Sequence, residues 1–184
     1  MIPGKNKESN SDEWTPFIHN LITLHFMDNG TSVKIYSENI NKNQTIKPIN
    51  GSSSQECALA LKGLDVNDWD IGMDIADLRK LLFQDDALYY FIKWKNFASD
   101  HSEEIRDIKE FLDKMNYKLK GVLFWIDGFW TGGDFMNLHE QMTNNLAESD
   151  YFLQTGIWDA EPSVNAILAC LPPDATKLLD YAMD

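Results

Sequence analysis

Gly121-Val122-Leu123-Phe124-Trp125-Ile126-Asp127 is an unbroken apolar run of strand length that ends on an acid. A run without polar alternation marks a strand covered on both faces, so it is read as the central strand of a sheet. The segments around it supply the covers. Upstream, Ala87 to Trp94 is dense in aromatic and β-branched residues and reads as a second strand. Between the two, Ser102 is placed to cap a helix whose buried stripe is Ile105, Ile108, Phe111, Leu112 and Met115. Arg106–Glu110 and Glu110–Lys114 are spaced for ion pairs on its outer side. Downstream, 135–148 reads as a helix with Phe135, Leu138, Met142 and Leu146 inward, and 151–158 as a strand. Three strands separated by helices can run parallel through crossovers.

Farther out the signals weaken. Val164, Ile167, Leu168 and Leu171 fit a helix capped by Ser163 and stopped by Pro172-Pro173, and Asp174 can cap a last helix carrying Leu178, Leu179 and Met183. Toward the N-terminus, Asp74 precedes Ile75, Leu78, Leu81 and Leu82, a one-sided helical stripe. Ser53 or Ser54 is placed to cap a short helix through Cys57, Ala58, Leu59 and Leu61, with Gly63 at its end. Thr45 to Ile49 suggests an edge strand, because Pro48 lacks a ladder donor. Residues 21–37 alternate on both sides of Asn29-Gly30, the signature of a hairpin closed by a type I′ turn. Thr15-Pro16 looks like a helix start. Residues 1–13, polar after the opening Met1-Ile2-Pro3-Gly4, read as a disordered leader before one globular domain over 14–184. The expected architecture is α+β or α/β: a single-domain sandwich with an N-terminal hairpin and a sheet of about 4–6 strands covered by helices.

The chain has 184 residues, 16 Lys+Arg against 29 Asp+Glu, and a formal net charge of −13. That balance argues against nucleic acid or an anionic membrane as a direct partner, since both are negative themselves. No apolar run is long enough to span a bilayer, the start lacks the apolar stretch of a secretory signal, and Cys57 and Cys170 are expected as buried thiols. These features suggest the cytoplasm.

The chemistry-bearing candidates cluster after the central strand. Asp127, the loop Gly128-Phe129-Trp130-Thr131-Gly132-Gly133 and Asp134 form an acid, a glycine-rich loop and an acid opening a helix. Asp127 and Asp134, with Asp159 at the end of the next strand, are the set that could hold a divalent cation, with His139 as an accessory base in a small metal-assisted hydrolase. The plainer assignment makes Asp127 and Asp159 turn residues and Asp134 a helix cap. The glycines match no nucleotide-binding pattern, and no cofactor is expected.

Charge is the more distinctive signal. Between Gly121 and Thr176 there are eight acids and no Lys or Arg, and 65–86 holds seven Asp against Arg79 and Lys80. Aromatic residues sit among these acids: Trp69 between Asp68 and Asp70, Phe129 and Trp130 before Asp134, and Trp158 beside Asp159. Rings flanked by charge have the composition of a protein-binding hot spot. The expectation is a non-enzymatic acidic protein that docks a basic partner, such as an immunity-type inhibitor of a nuclease toxin, provided the two acidic stretches share a face.

Overall fold

The computed structural model describes residues 15–19, 22–63, 75–95, 100–128, 131–146, 149, 151–157 and 161–173. They build one mixed sheet from β1 (Thr15–His19), β2 (Ile22–Asp28), β3 (Val33–Ser37), β4 (Lys42–Pro48), β5 (Leu88–Trp94), β6 (Lys118–Asp127), β7 (Tyr151–Ile157) and β8 (Ser163–Leu171). The helices are α1 (Ser54–Gly63), α2 (Ile75–Leu82), α3 (Ser102–Met115) and α4 (Gly132–Asn145). Strand order is β1-β2-β3-β4-β5-β8-β6-β7. The first four strands form an antiparallel meander, β4 lies parallel to β5, β8 is antiparallel to both β5 and β6, and β6 is parallel to β7.

Side-chain alternation along β5, β6 and β8 feeds two separate cores. Tyr89, Phe91, Leu123, Trp125, Ile167 and Ala169 point to one face and pack with Cys57 and Leu61 of α1 and Leu78, Leu81 and Leu82 of α2. Tyr90, Ile92, Val122, Phe124, Ala166 and Leu168 point to the other and pack with Ile105, Ile108 and Leu112 of α3 and Leu138 and Met142 of α4. This half of the sheet is the middle of three layers. Among the described residues, only the α1 side of β2–β4 is covered: Val33, Ile35 and Ile46 are buried, while Lys34, Thr45 and Lys47 are exposed.

The α/β sandwich is therefore as expected, and the extra strands come from two segments whose sequence reads as helical. Ser163–Leu171 is β8, inserted between β5 and β6. Residues Ser163 to Cys170 are all buried, so no exposed side exists to give the segment a strand period, and its Ala and Leu mimic a helix. Thr15-Pro16 begins β1, an edge strand, where a residue without an N–H is tolerated.

Several local readings also change. The hairpin is β2–β3, but Asp28 pairs with Val33, leaving a four-residue loop. Gly30 takes a φ of 83° while Asn29 closes the loop through its side chain, Oδ1 accepting from the backbone N–H of Thr31 and Ser32. β4 is internal rather than an edge; Pro48 is accommodated because it is the last residue of the strand. The β6 run is flanked by β8 and β7, one strand in from the edge. β5 shares its direction without pairing with it, since β8 lies between them. His101, at a φ of 52°, occupies the cap position of α3 in place of Ser102, whose hydroxyl instead donates to Asp100. The stretch 174–184 and the leader lie outside the described residues.

Candidate functional site

β5, β6 and β7 run in one direction, so their carboxyl ends meet at one edge of the sheet, the usual ligand edge of α/β folds. Asp127 is the last residue of β6 and only 7% exposed. Its Oδ2 accepts from Asn165 Nδ2 at 2.8 Å and from Ser163 Oγ at 3.2 Å. The register explains the cluster. Asp127 pairs with Ser163, and Asn165 pairs with Trp125 on one side and Lys93 on the other. Residues two apart on a strand share a face, so Lys93, Asn165, Ser163 and Asp127 line one side of the sheet end. Among the described residues, Asp127 Oδ1, Asn165 Oδ1 and Trp125 Nε1 are buried without a hydrogen-bond partner.

Burial pushes the Asp127 carboxyl up to about 6, against the opposing pull of the Asn165 hydrogen bond, the Lys93 charge and the Ser163 hydroxyl. A carboxyl that titrates near neutrality is able to take or release a proton, and its free oxygen can accept from a ligand. Lys93, Ser163 and Asn165 were missed as site residues. Ser163-x-Asn165 was the available signal, and it points to one face only when the segment is read as a strand.

The neighbouring acids have other employment. Gly128 turns the chain out of β6 at a φ of 82°. Thr131 then caps α4, its Oγ1 accepting from the Asp134 N–H while Asp134 Oδ2 accepts from the Thr131 N–H at 2.7 Å. Asp134 is thus the far member of a capping box, three residues inside the helix, rather than its cap. His139 is exposed on α4. Among the described residues, no three His, Cys, Asp or Glu side chains are grouped to hold a metal ion. Asp159, together with Asp68, Trp69, Asp70, Phe129, Trp130 and Trp158, lies outside the described residues.

A second buried pair sits where β5 leads into α3. His101 Nδ1 lies 3.5 Å from Glu104 Oε1, both residues at most 1% exposed. The cysteines are inert by comparison. Cys57 and Cys170 are free and occupy the cores on opposite faces of the sheet, and burial pushes the Cys170 thiol up to about 12.

Charge is distributed by region. Helix α2, which belongs to the first acidic stretch, packs through Leu78, Leu81 and Leu82 against β6 and β7, which belong to the second. On the opposite face α4 covers β7, carries the exposed Glu140, and contains no Lys or Arg. The exposed Glu140 of α4 therefore lies on one side of the β7 edge, while α2 on the other brings Asp77, ion-paired with Lys80 at 2.9 Å, and Arg79. No helix among the described residues is long and apolar enough to cross a membrane.

No protein-family model matches the sequence, and no curated protein matches it. Among solved structures, the chain is similar to a mutant FtsZ of M. jannaschii, with 16% identity and a TM-score of 0.43 over 66% of this chain. The match covers 40% of that structure. A likeness at this level assigns neither family nor function.

Proposed function

We propose that this chain is an acidic binding protein that docks a basic protein partner along the β7 side of its sheet. The observation that supports this reading is the packing of α2 on β6 and β7, which brings the chain around 65–86 beside 121–176; the acids concerned flank α2, whose own Asp77 is matched by Arg79 and Lys80. The segment 121–176 holds eight acids and no base, and Glu140 and Glu161 are exposed among its described residues; an acidic surface attracts a cationic partner and repels an anionic one. A protein that cleaves nucleic acid has a cationic substrate groove, and an acidic surface can occupy it in place of phosphates. Inhibition of such an enzyme, in the manner of an immunity protein, is the specific activity proposed.

The hydrolase alternative has less support, because Asp134 is committed to the start of α4 and one oxygen of Asp127 to Asn165 and Ser163. Affinity capture with the tagged full chain from its source cells tests the proposal. The expected product is a basic protein whose nuclease activity falls when this chain is added in equimolar amount. Capture of acidic proteins only, or of a nuclease left fully active, overturns it.

A further inference from the structure

The open face of the β2–β4 meander carries the opposite charge character. A cavity of about 450 Å³ lies there, lined by Lys34, Tyr36, Asn43, Thr45, Lys47 and Leu88 among others, none of them acidic. That volume is within the ~300–1,000 Å³ usual for small-molecule sites. Lys34 pairs with Thr45, and Lys47 is two residues farther along β4, so the two lysines are diagonal neighbours on one face. Sheet geometry sets such neighbours roughly 7–8 Å apart. Among the described residues neither lysine has an ion-pair partner, whereas Lys42 nearby is held by Asp85 at 2.8 Å. Glu38, which follows β3, is engaged by His25 at 2.6 Å. Two like charges held side by side without a counter-charge favour an anion between them.

We infer that this groove binds a small organic phosphate: a phosphate monoester held between Lys34 and Lys47, with an attached flat ring lying against Tyr36 and Leu88. Two ammonium groups match a phosphate monoester, which carries roughly −1.5 to −2 charges near neutrality, better than they match a single carboxylate. Asn43 and Thr45 add an amide and a hydroxyl to hold phosphate oxygens. The half-buried Tyr36 is braced from behind by the His25 ring, with centroids 6.1 Å apart. The net charge of −13 does not forbid the ligand. Charges beyond the ~8–10 Å Debye length are largely screened, while both lysines lie inside it. The acidic residues that define the proposed protein-docking side belong to other elements, so the two inferences stand independently.

The test is an NMR titration of the full chain with adenosine 5′-monophosphate, inorganic phosphate and adenosine as separate probes. The monophosphate is expected to shift groove amides saturably and to bind at least ~10-fold tighter than either fragment. The double variant Lys34→Gln/Lys47→Gln, both exposed positions, should keep the wild-type melting temperature and weaken binding at least ~10-fold. Lys118→Gln, away from the groove, should leave it unchanged. Absence of saturable shifts at the groove, phosphate or adenosine alone binding as tightly as the monophosphate, or undiminished binding by the double variant overturns the inference.

Discussion

Asp127 is the residue at which burial, hydrogen bonding and titration meet. Its ordinary value of 3.8 rises to about 6 because burial disfavours the charged form more than Asn165, Lys93 and Ser163 favour it. Between those values the unfolded chain has already released the proton that the folded chain retains, so stability falls as pH rises through this window. The loss is fully developed above about pH 6 and amounts to ~3 kcal/mol at most. Asp127→Asn keeps an oxygen for Asn165 and Ser163 and removes the buried charge. Urea unfolding should find the variant equal to wild type near pH 4 and more stable by ~1–3 kcal/mol at pH 7. A variant less stable than wild type at pH 7 contradicts this assignment. Asp127 was recognisable in the sequence as an acid ending a buried strand. Its partners Ser163 and Asn165 were not, because they lie 36 and 38 residues away and meet it only through strand register.

At the scale of the element, β8 carries the main lesson. β5 and β6 were legible because aromatic and β-branched residues dominate them, and α3 because one apolar stripe stands against charged residues. Ser163–Leu171 has neither mark. Packed on both faces and paired on both edges, it has no polar period, and tertiary context overrides the helix preference of its Ala and Leu. The two structures make different predictions for Ala166 and Ala169. In a helix buried through Val164, Ile167, Leu168 and Leu171, both alanines face outward and tolerate enlargement. In β8 both are fully buried, in opposite cores. Ala166→Leu and Ala169→Leu should each cost ~1–3 kcal/mol from overpacking, and the costs should add because the two sites share no neighbours. Neutral effects at either site, measured by denaturant midpoint, would refute the strand.

For the whole molecule, the arrangement of charge is what the linear sequence concealed. The acidic stretches were visible as counts, but whether they meet depended on where α2 packs, and its apolar stripe identifies no target strand. Its packing on β6 and β7 brings part of the first stretch against the second, while Lys34 and Lys47 lie on the meander at the other end of the sheet; the proposed function takes the acids of both stretches to form one face. An asymmetric field of this kind steers an approaching cationic partner, and steering acts mainly on the association rate. The most direct test is therefore the association rate constant of the captured basic partner, measured by stopped flow at increasing salt. Between ~0.05 M and ~0.5 M salt it should fall at least ~10-fold, and Glu140→Lys/Glu161→Lys, at two exposed acids, should lower the low-salt rate further. An association rate indifferent both to salt and to the charge reversals would contradict the acidic docking surface.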